Sequence, residues 1–372
     1  MLGELSVRAR RVERSRTRVD PGRAVAGRRL HDGDVRPGPN NALTDVPGLR
    51  VGHAQVPRAL SGTTVVLAPP DGAVAGVDVR GAAPGTRETD LLQPHTTVQR
   101  VHAIVLSGGS AFGLGAVDGV MMRLAAARIG FPVPGAVVPI VPAAVLFDLG
   151  RGGPADDPAL RPTAATGAAA VDAASGGPVA QGAVGAGTGA LVGGLKGGIG
   201  TASAVLDDGT TVAALAAVNA AGSAVDPATG ELHATRLGLP GEFAQPRVGA
   251  AVRAALRAVA DSVRPRLGTA TTLAVVATDA TLDKAGCGRL ATMGHDGLAR
   301  ALAPVHTAVD GDTVFGLATC ARPVLDLAGL MALHAAAADV VSRAVAHGVL
   351  AAETATTPAG TFRSYRDVAT SG

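Results

Sequence analysis

Apolar residues recur along this chain at two spacings, and their order predicts a layered α/β body. NALTDVPGLRVGHAQ (41–55) and GTTVVLAP (62–69) read as short β-rich runs punctuated by Pro and Gly. VHAIVLS (101–107) has the continuous apolar character of a buried strand. It runs through Gly108-Gly109 into a helix predicted from Ser110 to about Ala127. VVPIVPAAVLFDL (137–149) is apolar but broken by prolines, which predicts an edge or irregular strand. Residues 150–181 read as surface loop with a small Ala-rich helix, and 182–203 is the most glycine-dense segment.

The second half is more regular. TTVAALAAVNA (210–220) predicts a strand ending at Asn219, and 221–268 predicts turns with one helix near 248–262. TTLAVVATDATL (271–282) and TVFGLAT (313–319) predict strands, each followed by a helix, over 283–302 and 326–347. Asp326 is the expected N-cap of the last helix, with Gly348 placed just past its end. This β-α-β-α run can cover one face of a sheet.

Composition narrows the function classes. Of 372 residues, 47% are apolar, but with six Phe, one Tyr and no Trp the core must be built from Ala, Val and Leu. The formal charge of +3 arises at the start, where residues 1–36 hold ten Arg against five acidic residues. That stretch, 1–37, is expected to be a disordered extension preceding a single domain, 38–372. The remainder carries no basic stripe interleaved with aromatics, so nucleic acid is not an expected partner. No uninterrupted 18-residue apolar run argues for a membrane span, and a cytoplasmic location is the simplest reading. Cys287 and Cys320 define no framework, and the nine His lack ligand spacing, so no metal or organic cofactor is expected. Of 33 basic residues only Lys196 and Lys284 are Lys, and Asn is confined to Asn40, Asn41 and Asn219. Such rare residues mark positions where a compact amine or a carboxamide is needed, or tolerant surface sites.

Four segments offer chemistry. Ser110 sits at a strand-to-helix turn, but Phe112 stands where a nucleophile elbow needs glycine, so a helix N-cap is the better reading. Gly185, Gly187 and Gly189 do not complete a phosphate loop, because Lys196 follows Leu195 and precedes Gly197. Close backbone approach explains these glycines better. Asp310 and Asp312 can point the same way from an extended backbone, although alone they read as turn charges. Thr269, Thr271 and Thr272 before an apolar strand are, alone, ordinary β-formers.

Read together, these segments resemble the L-aminopeptidase/D-esterase family, which also contains β-peptidyl aminopeptidases and nylon-oligomer hydrolases. The likeness runs from about Asn41 to Ala351. It is carried by LTDVPGLRVGH (43–53), GVDVRGAAPGTRETDLL (76–92), VHAIVLSGGSAFGL (101–114), VGAGTGA (184–190), KGGIGTAS (196–203), TTLAVVATDA (271–280) and HTAVDGDTVF (306–315).

The resemblance implies a four-layer αββα sandwich and self-cleavage at Ala270–Thr271 into chains 1–270 and 271–372. It makes Thr271 the nucleophile and its freed α-amine the general base. It assigns Asn219 to oxyanion stabilisation, and Asp310 and Asp312 to orienting the nucleophile and amine. The active-site lysine of nylon-oligomer hydrolases aligns without gaps to Gly194, so either Lys196 serves through a register shift or the site dispenses with that amine. Ala270 stands where relatives often carry Asn, and Phe147 where some carry an oxyanion-site tyrosine. The expected activity is cleavage of small peptides or amides, with some esterase action, by a homo-oligomer of αβ pairs, often a tetramer. An acyltransferase resembling ornithine acetyltransferase, or an uncleaved non-catalytic homologue, are the alternatives.

Overall fold

A computed structural model describes residues 35–243, 248–262 and 270–370. The Arg-rich start, through residue 34, lies outside the described residues, as does Thr269. The described body begins with Val35, and Arg36 already pairs with Val205.

Among the described residues, nine strands of three or more residues, with two shorter ones at the edges, build the two large sheets. They are β1 (Arg50–Gln55), β2 (Gly62–Leu67), β3 (Ala73–Val79), β4 (Ala103–Ser107), β5 (Ala143–Val145), β6 (Ile199–Val205), β7 (Thr211–Ala217), β8 (Leu273–Thr278) and β9 (Thr313–Ala318). One sheet runs β1-β2-β4-β5 and ends on the short strand Thr86–Arg87. The other runs β6-β7-β8-β9-β3 and ends on Arg100–Val101. The longer helices are α1 (Ala116–Ala126), α2 (Ala164–Asp172), α3 (Ala250–Ser262), α4 (Lys284–Ala301) and α5 (Leu327–Ala351), and a short one, Tyr365–Thr370, follows.

Three apolar interfaces separate four layers, giving the expected αββα sandwich. Ile104 and Leu106 of β4 meet Leu215 of β7, Val275 of β8 and Phe315 of β9 between the two sheets. Alternate residues of the same strands face outward into the helices. Ala103 and Val105 pack with Val117, Val120 and Leu124 of α1. Ala214, Val276 and Val314 pack with Leu290 of α4 and Val341 of α5. Because both faces of each sheet are covered, the strands read as unbroken apolar runs. β8 and β9 are parallel and linked through α4, while β7 and β3 flank them antiparallel.

Several local expectations change. The carboxylates of Asp283 and Asp326 accept the N–H groups of Gly286 and Gly329, capping α4 and α5. However, α5 continues past Gly348 to Ala351. Gly348 is not a stop; it lets the helix approach Gly200 of β6, whose own Cβ would run into the α5 backbone. Ser110 is not the N-cap of α1. It opens a 3-10 turn, Ser110–Gly115, at φ +54°, and makes no capping bond. β5 lies inside its sheet, between β4 and Thr86–Arg87, because that distant pair of residues covers its outer side. The length and composition of α5 would suit a membrane crossing, yet its buried face is core.

Candidate active site

Thr271, Asn219, Asp310 and Asp312 come from three adjacent strand ends of one sheet. β7 ends two residues before Asn219, β8 begins two residues after Thr271, and β9 begins directly after Asp312. Since β7 runs antiparallel to β8, and β8 parallel to β9, these ends meet at one rim. A bridge between Ala270 and Asp310 extends the β8–β9 register across the expected cut.

Thr271 is 4% exposed, so the uncut site is closed to solvent. Its N–H donates to Asn219 O at 2.5 Å, and its hydroxyl donates to Ala270 O at 2.5 Å. Gly311 N–H is shared, reaching Thr271 Oγ1 at 3.1 Å and Ala270 O at 3.2 Å. One amide therefore faces both the hydroxyl and the carbonyl it would attack. Gly311 has no room for a side chain: a Cβ would lie 2.5 Å from Ala83 O and 2.7 Å from Thr271 Oγ1. Ala83 N–H in turn donates to Asp310 O, which holds the 80–83 segment over the site.

The two aspartates are buried and serve the backbone around Thr271. Asp310 accepts from Ala221 N at 3.2 Å, Thr307 N at 2.8 Å and Thr307 Oγ1 at 2.5 Å. Asp312 accepts Thr272 N–H at 2.7 Å through Oδ1, and its Oδ2 bonds His306 Nδ1 at 2.7 Å. The His306 ring meets His295 edge-on at 4.8 Å. Thus Asp312 fixes the residue after Thr271 and Asp310 fixes Ala221 and Thr307, and neither carboxylate bonds the Thr271 hydroxyl.

Asn219 is fully buried, and its main-chain oxygen carries Thr271 N–H. Its Oδ1 accepts from Arg151 Nη1 at 2.6 Å and Leu191 N at 3.0 Å, while Nδ2 donates to Phe147 O at 3.2 Å. Lys196 is also fully buried. Its Nζ donates to Ala190 O at 3.1 Å, Gly197 O at 3.3 Å and Gly187 O at 3.4 Å, reaching the site through the turn that presents Leu191. Burial and the neighbouring Arg151 push its amine down to about 7, against the pull of Asp148. Burial likewise raises Asp148 to about 6, against the Gly109 N–H and Arg151. The glycines here allow close approach: a Cβ on Gly187 or Gly189 would strike the backbone at Ile199 or Leu60.

Sequence reasoning missed Gly311, Arg151, Asp148 and His306. A signal existed for two of them: Asp148 and Arg151 interrupt the apolar run ending VLFDLGR (145–151). Neither His306 nor Gly311 had a distinguishing pattern. Among the described residues no cluster of His, Cys, Asp and Glu has the makings of a metal site.

Comparison with known proteins gives the family and the fold. Residues 41–363 match the model of peptidase family S58. An "uncharacterized aminopeptidase" of Mycobacterium tuberculosis (H37Rv) is 49% identical over 348 residues, covering 88% of this chain and 98% of the relative. A 6-aminohexanoate-oligomer endohydrolase of Kocuria sp. (strain KY2) is 30% identical over 320 residues, 81% of this chain and 84% of the relative. The fold matches that of a Burkholderia β-aminopeptidase at a TM-score of 0.67, with 24% identity over 90% of this chain and 95% of the other. It also matches the L-aminopeptidase D-Ala-esterase/amidase of Ochrobactrum anthropi, described as a variant of the Ntn hydrolase fold, at 0.66, with 23% identity over 88% and 92%. The matched span contains every residue placed at this rim, and the chain belongs to peptidase family S58.

Proposed function

We propose that the chain cuts itself between Ala270 and Thr271, and that Thr271 is then the nucleophile for hydrolysis of small peptides and amides. The observation that carries this reading is the shared Gly311 N–H, which faces Thr271 Oγ1 and Ala270 O together. In maturation, Oγ1 attacks the Ala270 carbonyl carbon and forms a five-membered ring. The carbonyl oxygen gains negative charge beside Gly311 N–H, as an oxyanion donor requires. The C–N bond then breaks, the Thr271 nitrogen takes the hydroxyl proton, and water hydrolyses the resulting ester to free Ala270 as a carboxylate.

An α-amine, whose reference pKa is about 7.7–8.0, is suited to taking the Oγ1 proton at neutral pH. In turnover Oγ1 is acylated by the substrate, the leaving amine receives that proton, and water releases the acyl group. Asn219 Nδ2 is the donor for the substrate oxyanion. Asp312 orients the backbone after Thr271, Asp310 holds Ala221 and Thr307 beside the site, and Lys196 supports the Gly187–Leu191 turn that holds Asn219. Phe147 offers no hydroxyl, so the oxyanion donors come from Asn219 and the backbone. Esters are slower secondary substrates, and the working form is an oligomer of αβ pairs, a tetramer in this reading. The names of the relatives support peptide and amide substrates without selecting one.

Intact mass is the test. Wild type is expected as two fragments meeting at Ala270/Thr271, and Thr271→Ala as one chain of 36.5 kDa. An uncut wild type that still hydrolyses amides would sink the mechanism, and a cut before Thr272 would move the nucleophile.

A further inference from the structure

An amide side chain can seat in two ways, with its oxygen and nitrogen exchanged, and its partners decide which. At Asn219 both acceptor directions of Oδ1 are used, by Arg151 Nη1 at 2.6 Å and Leu191 N at 3.0 Å. The exchanged orientation would set an NH2 group against two donors. Nδ2 gives one hydrogen to Phe147 O at 3.2 Å, which leaves its second hydrogen for another acceptor. The same residue carries Thr271 N–H on its main-chain oxygen, so the carboxamide and the nucleophile belong to one rigid unit.

Arg151 is itself anchored. The same Nη1 donates to Gly189 O at 2.6 Å, and the main-chain oxygen of Arg151 accepts the Thr357 hydroxyl at 2.7 Å. Its counter-charge, Asp148, is 3% exposed and fixed by Gly109 N–H at 2.7 Å. A cation is thus placed, half-buried, directly on the oxygen of an amide whose nitrogen keeps one hydrogen beyond its bond to Phe147 O. A charge on Oδ1 withdraws electron density from Nδ2 and strengthens its N–H as a donor, most strongly away from water.

We propose that Arg151 is a positioning residue for amide hydrolysis, locking the Asn219 carboxamide with Nδ2 toward the substrate oxyanion and polarising it. This rests on the reading of Thr271 and Asn219 given above. The residue acts through Asn219 and touches neither substrate nor nucleophile. Its effect falls on the transition state, where charge develops on the acyl oxygen, and leaves ground-state binding nearly unchanged.

The test is a double-mutant cycle of Arg151→Met and Asn219→Ala, with Arg151→Lys beside it. Rates on an L-amino acid p-nitroanilide are referred to the cleaved fraction measured by mass. Arg151→Met is expected to lower kcat about tenfold to a hundredfold with KM within about twofold. Arg151→Lys is expected to recover part of the loss, and Arg151→Met to add nothing in the Asn219→Ala background. An unchanged kcat in Arg151→Met overturns the proposal, as does a full loss persisting without Asn219. If Arg151→Met does not accumulate as folded protein, Arg151→Gln, which keeps a donor without the charge, replaces it under the same criteria. Full activity in Asn219→Ala would instead overturn the underlying reading of Asn219. A silent Arg151 variant beside an impaired Asn219→Ala would overturn this inference alone.

Discussion

His306 Nδ1 lies 2.7 Å from Asp312 Oδ2, and that carboxylate, 1% exposed, holds Thr272 N–H with its other oxygen. The ring is therefore the partner that completes a buried carboxylate bound to the residue after the proposed nucleophile. His306→Ala leaves Oδ2 unpartnered and is expected to cost about 1–3 kcal/mol, read as a fall in melting temperature, with slower self-cleavage. His306→Asn should recover much of this, since Asn tolerates the φ of +52° and carries an N–H donor. Equal melting temperatures for wild type and His306→Ala would refute the role.

Gly311→Ala should stop or strongly slow maturation. The added methyl would sit 2.7 Å from Thr271 Oγ1 and 2.5 Å from Ala83 O, and one of the two must move. Displacement by about 1 Å can cost about a hundredfold in rate. A time course of fragment appearance by mass checks it; normal processing would show that the hydroxyl does not need its present place.

Stability should fall as the solution is acidified below neutrality. Burial pushes His53 and His295 from 6.5 down to about 4, with His306 and Arg80 adding to the shift at His295 and Asp78 opposing it. His102, His233 and His334 are lowered too, each chiefly by burial. Between about pH 4 and 6.5 the unfolded chain binds more protons at these residues, so folding weakens as pH falls. Asp148 works in the opposite sense. Raised from 3.8 to about 6, it stabilises at low pH and loses that contribution as pH rises through this window. Five histidines outweigh the two aspartates that burial raises, Asp148 and Asp279, so melting of the uncut Thr271→Ala chain should be lower at pH 5 than at pH 7. His295→Gln, which keeps a donor for Asp78 O, should narrow the gap. No difference between the two pH values would contradict the assignment.

What could be read in advance was governed by range. The β8-α4-β9-α5 run follows from apolar spacing and from Asp283 and Asp326, whose capping is local. Lys196 and Lys284 stood out as the lysines of an arginine-rich chain, and both prove buried among carbonyl oxygens. Lys284 Nζ reaches Leu91, Thr96 and Val98. Gly348 misled because a glycine near a helix end carries the same local signal whether it stops the helix or admits a neighbour. Arg151 was hidden in a stretch read as surface loop, since its meaning depends on Asn219, 68 positions away. Likewise β5 could not reveal that Thr86–Arg87 would cover it. The Thr271 reading came from family resemblance, because three threonines before a strand have no local distinction.

The strand order β6-β7-β8-β9-β3 has a consequence for the life history of the molecule. A cut at Ala270–Thr271 assigns β8 and β9 to one fragment and the strands on both sides of them to the other. The severed pieces are then interleaved, clasped by the β7–β8 and β9–β3 ladders, and cannot slide apart without opening the sheet. The intact chain folds as a single molecule at a rate independent of dilution. Once cut, the same sheet could re-form only through an encounter between two chains. Maturation would thereby convert a reversible fold into a ratchet, and the durability of the working enzyme would be set by how slowly it opens.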